Sequence, residues 1–213
     1  MAKKRKEQLI QFNKSNILDA AKKLFSEKGI LQTTMDDIAK EADYSKSTIY
    51  VYFSSKEEIY NHIIFESMLL LKETLSDIVD SEDGFENCYY KICNTLVHIQ
   101  KEYPIYFESI IGEISVNQDD FEMHPVLLEI FNVGEEINQN ISTLIQRGIS
   151  DNYIRADIET LPAVFMIWAS ISGIISMASQ KEEYLQEKLN IKKEEYLNYS
   201  FKMLLRSLSK ESK

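Results

Sequence analysis

The chain is poor in the residues that interrupt helices. Its 213 residues include only 6 glycines and 3 prolines, while 44% are hydrophobic. Scarce glycine and proline favour long helices over a strand-rich fold, and this hydrophobic fraction is enough to bury a core. We therefore predict an all-α chain, built either as one long domain or as a small domain followed by a larger one.

Cysteine is also scarce. The chain has 2 cysteines, Cys88 and Cys93. On one helix their Cα atoms would be roughly 8 Å apart, which is too far for a disulfide. We expect two reduced, structural thiols in a cytoplasmic protein. Met1–Glu7 is polar and basic with no apolar segment behind it, so we expect no secretory signal.

Patterns typical of enzymes and metal sites are missing from the sequence. Its 3 histidines, His62, His98 and His124, are scattered without the spacing of paired metal ligands. There is no glycine-rich phosphate loop, and no serine or cysteine lies in a nucleophile motif. We therefore expect no enzyme activity, no metal site and no cofactor.

Positive charge is scarce overall but concentrated near the N-terminus. Residues 1–60 carry 11 Lys+Arg and 9 Asp+Glu, and residues 61–213 carry 13 and 25, so the net charges are +2 and −12. Because local charge governs attraction to phosphate, an acidic total does not exclude a nucleic-acid partner. The densest basic run is Lys3–Lys6. By itself it predicts a flexible, solvated terminus, and in front of a DNA-binding motif it would serve as a phosphate or minor-groove arm.

Residues 33–56 follow the pattern of two short helices joined by a tight polar turn, with a third helix starting directly afterwards. Thr34 and Asp37 have the spacing of a capping box, and Ser55–Glu58 has the full capping-box sequence. Asp43–Ser45 supplies the turn, and Ser45 caps the second helix. This arrangement is typical of a helix-turn-helix reader of duplex DNA.

A preceding helix is predicted from Ser15 to about Lys28, with Gly29 at its C-terminal cap. Two helices of about eight residues cannot bury a core alone, so they must pack on this first helix. We therefore predict a three-helix DNA-binding domain over residues 1–54. The exposed face of its last helix carries polar side chains suited to phosphate oxygens and base edges, namely Lys46, Ser47, Thr48, Tyr50 and Tyr52.

The rest of the chain, residues 55–213, predicts a larger helical domain, for about nine helices in all. The helical segments are residues 55–79, 85–102, 104–114, 125–147, 157–179 and 192–209. Asn117–Met123 is predicted as a loop and Gly148–Arg155 as a connection.

The segment Thr160–Gln180 has no charged residue in 21 positions, which is long enough to raise the question of a membrane span. Pro162, Gly173 and several hydroxyl side chains count against that interpretation, and no other segment is comparable. We predict a helix without membrane contact, with one face in its own domain and the other against a second copy of the chain.

A specific set of residues lies between Ile17 and Lys56. It consists of A-A-x-x-L-F at 20–25, Gly29, T-T-M-x-x-I-A at 33–39, Ala42, Ser45, T-x-Y-x-Y-F at 48–53, and Lys56. This set resembles the N-terminal domain of the tetracycline-repressor-like (TetR) family of bacterial transcription regulators. The resemblance covers about a quarter of the chain, and the remainder is similar only in length and helical pattern. Val51 and Asp43 are minor departures, and aspartate tolerates turn conformations.

The resemblance implies a homodimeric, all-helical repressor that binds a palindromic operator in double-stranded DNA. It implies phosphate contacts for Thr33, Thr34, Tyr50 and Lys56, and we place Lys46, Ser47 and Thr48 near base edges. Ser45 and Tyr52 complete the predicted DNA-binding residues. The dimer would form through the last two long helices, residues 157–179 and 192–209. The alternatives are an activator of the same fold, or a regulator controlled by a protein partner without a small-molecule ligand.

The resemblance also implies a ligand pocket among the middle helices, for a small apolar or amphipathic effector that releases the DNA. Candidate lining residues are Tyr89, His98, Tyr103, Tyr106, Phe107, Phe131, Phe165 and Trp168. Aromatic residues at helical spacing are more often core than ligand contacts, so each of these also has a purely structural interpretation.

Overall fold

The computed structural model describes residues 2–110, 112 and 116–210, and the side chains of Ala2, Lys3, Tyr106 and Ser109 lie outside this description. Within these residues the chain forms eleven helices and no strand, which confirms the predicted all-α fold. The helices are α1 Ala2–Lys28, α2 Met35–Glu41, α3 Lys46–Tyr52, α4 Lys56–Asp80, α5 Phe85–Glu102, α6 Pro104–Ile110, α7 Gln118–Met123, α8 Pro125–Ser150, α9 Thr160–Gln180, α10 Glu182–Leu189 and α11 Lys193–Leu208.

The N-terminus is helical, so the predicted start of the first helix at Ser15 is wrong. The helix α1 begins at Ala2 and passes through Ser15. The residues before Ser15 include four lysines, one arginine and two glutamines, which are good helix formers and extend the helix past the possible cap. The basic side chains Lys4, Arg5 and Lys6 are therefore exposed on a helix and not on a flexible arm.

Three further boundaries differ from the sequence predictions. Residues predicted as a loop form α7, whose cap Asn117 accepts a hydrogen bond from the Asp119 amide at 3.0 Å. The short helix α10 was not predicted, and it ends at Asn190 in the left-handed conformation. The helix α8 runs through Gly148, where a Cβ atom would lie 2.8 Å from side-chain atoms of Phe85 and Ile154. Gly148 allows Phe85 and Ile154 to pack closely against α8, and this packing, not a helix end, is the reason for the glycine.

The chain divides into two compact units. The first comprises residues 1–67 and 114–131, and the second comprises residues 68–113 and 132–213. The helices α4 and α8 each contribute to both units. The first unit thus includes the beginning of α4, beyond the domain boundary predicted at residue 54.

The first unit has an apolar core in which α1 packs on α2 and α2 packs on α3. Its fully buried side chains include Ile17, Phe25, Ile38, Ile49, Phe53, Ile59 and Ile63. The short helices α2 and α3 each contribute only one or two buried residues, so their stability depends on α1 and the start of α4. This is the dependence that the sequence predicted.

The second unit is organised around α5, α9 and α11, which pack on one another. Its core is lined by Leu71, Leu75, Ile92, Leu96, Ile145, Ile154, Ile171, Ile175 and Phe201. Cys88 and Cys93 are buried there as free thiols, as predicted. Burial raises the pKa of the Cys93 thiol to about 12, which keeps it protonated and unreactive at neutral pH.

Among the described residues, α9 is the one helix long and apolar enough to cross a bilayer, and 33% of its most apolar window is buried inside the protein. A helix at the centre of a soluble protein meets the same two criteria. One face of α9 is buried through Val164, Ile167, Ile171 and Ile175, whereas Leu161 and Phe165 on the other face are exposed. Packing within one protomer does not explain the large apolar side chains on this exposed face of α9.

Candidate DNA-binding site

The two short helices are held by local hydrogen bonds at both of their starts. Thr34 and Asp37 form the predicted capping box of α2, and the Asp37 carboxylate also accepts a bond from the Lys28 ammonium at 2.8 Å. These bonds, first that from Lys28 and then those from Thr34, hold the pKa of Asp37 well below its usual range. The cap therefore remains ionised at any physiological pH.

The turn between α2 and α3 is closed by a left-handed residue and a new cap. Asp43 has a φ of 57°, and the amide of Tyr44 donates to the carbonyl of Ala39 at 2.9 Å. The hydroxyl of Ser45 then accepts a bond from the Thr48 amide at 3.1 Å and begins α3. An aspartate tolerates the left-handed conformation, so the turn forms without a glycine.

Asn13 fixes the orientation of α3 on α1, a role that no motif in the sequence indicates. Its side-chain carbonyl accepts a hydrogen bond from the Tyr44 hydroxyl at 2.8 Å, and its amide donates to the Tyr52 hydroxyl at 2.7 Å. The two tyrosines stand just before α3 and at its last residue. One amide therefore anchors α3 near both of its ends.

The exposed surface of this helix pair carries most of the predicted contacts. Thr34, Ser45, Lys46 and Ser47 are exposed, and Tyr50 is 48% exposed. Ser45 shares hydrogen bonds with the hydroxyls of Ser47 at 2.8 Å and Thr48 at 2.7 Å. The result is a compact row of hydroxyls beside one ammonium and one aromatic ring, which suits phosphate oxygens and base edges.

Lys46 is paired within the protein. Its ammonium lies 2.9 Å from the carboxylate of Asp36 on α2, and both side chains are 54% exposed. The hydrogen bond that Lys46 donates to the Asp36 carboxylate raises the pKa of Lys46, so the side chain is fully cationic. To contact DNA, Lys46 must exchange this carboxylate for a DNA acceptor.

The structure gives the remaining three predicted contacts internal partners. Thr33 is buried, and its hydroxyl donates to the carbonyl of Gly29 at 2.8 Å. Lys56 is half-buried and donates to the carbonyl of Ile30 at 2.8 Å. Tyr52 is half-buried beneath Asn13. The internal bonds of these residues support the exposed face. Because Thr33 is buried, we do not include it among the proposed DNA contacts.

The cap of α4 differs from the predicted box. The Glu58 amide donates to the Ser55 hydroxyl at 3.1 Å, as expected, but the Glu58 carboxylate reaches back one residue further. It accepts bonds from the amide and the hydroxyl of Ser54, both at 2.6 Å. Burial raises the pKa of Glu58, but the bonds from Ser54 outweigh it, and the pKa lies below its usual value.

The predicted ligand-pocket residues lie in different environments. Tyr89 and Phe107 are buried, and the Tyr89 hydroxyl donates to the carbonyl of Phe201 at 2.9 Å. His98, Tyr103 and Phe165 are exposed. Trp168 is half-buried in the second unit, Phe131 is half-buried in the first, and the Tyr106 side chain lies outside the described residues. Tyr89 is thus a core residue with a structural hydrogen bond.

No group of three or more His, Cys, Asp or Glu side chains within the described ranges is arranged to hold a metal ion.

Comparison with known proteins agrees with this architecture. Residues 17–63 match the family described as "Bacterial regulatory proteins, tetR family". The chain is 25% identical over 187 residues to the biofilm operon icaADBC HTH-type negative transcriptional regulator IcaR of Staphylococcus aureus, covering 85% of this chain and 94% of IcaR. It is also 25% identical over 169 residues to an uncharacterized HTH-type transcriptional regulator, YhgD of Bacillus subtilis, covering 78% of this chain and 85% of YhgD.

Solved structures share the fold along almost the whole chain. The transcriptional regulator FadR of Bacillus subtilis in complex with stearoyl-CoA superposes with a TM-score of 0.69 at 17% identity, covering 91% of this chain and 98% of FadR. The ketosteroid regulator KstR2 of Mycobacterium tuberculosis superposes with a TM-score of 0.64 at 18% identity, covering 93% and 95%. The helix-turn-helix region therefore matches the TetR family of transcriptional regulators, and the chain as a whole shares the fold of the solved regulators.

Proposed function

We propose that this chain is a repressor that binds a palindromic operator as a homodimer in the bacterial cytoplasm and is released by a small apolar or amphipathic effector. The observation that carries the proposal is the face formed by Lys46, Ser47 and Tyr50 on α3, a helix that is capped by Ser45 and hydrogen-bonded to Asn13 of α1. Two such faces in a dimer would enter successive major grooves, about 34–36 Å apart. IcaR, a negative regulator, has a similar sequence along most of its length.

The dimer would form through α9 and α11. The exposed stripe of α9 contains Leu161, Phe165, Ala169, Gly173 and Met177, each four residues after the last. A Cβ atom at Gly173 would meet no atom of the described residues within 4 Å, so packing among these residues gives no reason for a glycine there. Close approach of a helix from a second copy would supply that reason, and it would cover the apolar stripe.

The effector would bind in the second unit, near the predicted aromatic residues that lie there and are exposed or half-buried, namely Tyr103, Phe165 and Trp168. FadR, whose structure contains stearoyl-CoA, and SmeT, whose structure contains triclosan, have a similar fold. Both molecules are apolar over much of their surface, which favours an apolar or amphipathic effector here. Release requires that the effector bind more tightly to the dimer conformation that does not fit the operator.

DNA binding is tested by selecting duplexes from a random library with the purified chain and measuring their affinity by fluorescence anisotropy. Lys46→Ala is expected to lose about 1–3 kcal/mol on the selected sequence and to lose selectivity over a scrambled duplex. Tyr50→Ala is expected to weaken binding to both duplexes, because a phosphate contact carries no sequence information. Lys188→Ala and Tyr184→Ala, at exposed positions of α10, are the matched controls.

Unchanged affinity in both Lys46→Ala and Tyr50→Ala would contradict the proposed face.

Release is then tested by adding fatty acids, acyl-CoA esters and aromatic antimicrobials to the complex. Dissociation caused by a protein partner, with every small molecule inactive, would favour the alternative regulator that has no small-molecule ligand.

A further inference from the structure

A surface cleft of about 490 Å³ lies within the first unit, and none of the residues predicted to bind the effector is among its lining residues. One wall is formed by the end of α3 and the start of α4, including Tyr50, Phe53, Glu58 and His62. The opposite wall is formed by the α7–α8 turn and the first turns of α8, including Met123 and Glu129. Its volume is sufficient for a molecule of drug size.

The lining combines aromatic and apolar surfaces with two carboxylates. Glu58 and Glu129 face the cleft from different helices, and no lysine or arginine in the described part of the chain is among its lining residues. The helix α7, which leads into the cleft, adds Asp119, Asp120 and Glu122. Carboxylates beside aromatic faces attract organic cations both by charge and by the cation–π interaction.

The aromatic wall is fixed in position. Phe53 is 1% exposed, and the His62 ring packs edge-on against it with centroids 5.4 Å apart. Burial, together with the charge of Lys14, lowers the pKa of His62, so the ring is neutral at physiological pH and does not repel a cation. Lys14 lies 5.4 Å from the centroid of Phe53 and partly offsets the negative potential without lining the cleft.

We propose that this cleft binds an amphipathic organic cation whose charge lies near Glu58 and Glu129 and whose apolar part packs on Tyr50, His62 and Met123. Tyr50 lines the cleft and also belongs to the proposed DNA-binding face, so a bound cation competes with DNA for this side chain. The competition rests on the proposed function, whereas binding of the cation does not.

Binding is measured by calorimetry on the full-length protein without DNA, using tetraphenylphosphonium and tetraphenylborate as probes. These ions have similar shape and opposite charge, so the phosphonium is expected to bind and the borate is not. Glu129→Gln is expected to weaken phosphonium binding roughly tenfold, because it removes a nearby charge from a partly exposed site. Glu135→Gln, at an exposed position of the same helix, is the matched control and is expected to leave the affinity unchanged.

The position of the probe is established by the NMR signal of the Met123 methyl group, assigned with Met123→Leu. This signal is expected to shift when the phosphonium is added to the wild-type protein. In Glu129→Gln the same shift is expected to require a higher phosphonium concentration. Glu58→Gln is a less suitable variant because its carboxylate caps α4. Equal binding of both probes would overturn the proposal, as would unchanged phosphonium affinity in Glu129→Gln with no shift at Met123. Neither outcome depends on an operator, so both are distinct from failure of the repressor function.

Discussion

Lys46 forms an ion pair within the protein, and it must break this pair to contact an acceptor on DNA. Its ion pair with Asp36 joins two exposed side chains on neighbouring helices. Ion pairs at such exposed sites contribute little to stability, because water screens the two charges. The pair is therefore easily exchanged, and its main effect is to hold a negative charge beside the proposed DNA-binding face.

The substitution Asp36→Asn is expected to increase DNA affinity. It releases Lys46 and removes one repulsive charge from the face, while asparagine keeps the shape of the side chain. Anisotropy titrations at low and moderate salt should show a larger gain at low salt, because exposed charges are screened. Asp77→Asn, at an exposed position of α4 in the second unit, is the control. A weaker complex with Asp36→Asn would show that Asp36 positions Lys46 productively.

His62 makes the stability of the first unit depend on pH. Its pKa is lowered, first by burial and then by Lys14, so the unfolded chain binds the proton more readily than the folded one. The stability gained from the neutral ring is present above the ordinary pKa of about 6.5 and is lost as pH falls through that value towards the folded pKa. His62→Gln is expected to reduce the loss of unfolding free energy between about pH 7.5 and 5.5.

Urea unfolding at the two pH values measures this difference. His98→Gln, at an exposed histidine of the second unit, provides the control. The same loss of stability in wild type and His62→Gln would contradict a role for His62.

Among the helices, α4 is held at its C-terminal end by one arginine of α8. Arg147 donates to the carbonyls of Val79 at 2.7 Å, Ser81 at 3.3 Å and Asp83 at 3.2 Å. The last carbonyls of a helix lack intrahelical partners and carry partial negative charge, so a cation there is favourable. The planar guanidinium satisfies several at once, which fixes the joint between α4 and α5 onto α8.

Arg147→Lys is expected to lower the free energy of unfolding by about 2–4 kcal/mol. A lysine ammonium cannot donate to several carbonyls in the geometry of the planar guanidinium, so half-buried carbonyls are left unpaired. Arg206→Lys, at an exposed position of α11, is expected to change it little. Urea denaturation of both variants measures the difference. If the two variants were equally stable, the hydrogen bonds of Arg147 would contribute nothing beyond its charge.

For the whole molecule, the exposed stripe of α9 is the feature that one protomer does not account for. Phe165 is 64% exposed and Leu161 is 69% exposed on the helix with the highest apolar content. A second copy packed on α9 and α11 would bury this stripe, and it would also bring two DNA-binding faces into one particle.

The double variant Phe165→Glu with Met177→Glu is expected to convert a dimer into a monomer of 24.8 kDa, because charges buried in an apolar interface remain unpaired. Light scattering after gel filtration measures the mass. Tyr184→Glu places the same charge at an exposed aromatic position of α10 and is expected to remain dimeric. A dimer that survives the double variant would place the interface elsewhere.

Local rules predicted much of the DNA-binding unit. Thr34, Asp43 and Ser45 act through neighbours within a few residues, so capping and turn chemistry were sufficient to place α2 and α3. The same rules failed at Ser15 and Gly148, for opposite reasons. Serine is a residue type that often caps a helix, but Ser15 lies among strong helix formers. Glycine is a residue type that often ends a helix, but Gly148 is required by the close approach of Phe85 and Ile154.

The sequence by itself determined the all-α class, the helix-turn-helix and the separation of charge between the two parts of the chain, because each depends on composition or short-range spacing. Only the tertiary structure decided which polar groups of the motif are free. Thr33 is buried against Gly29, Lys56 is bonded to Ile30, and Lys46 is paired with Asp36. Those partners come from other turns and helices, and no spacing within the motif specifies where their side chains meet.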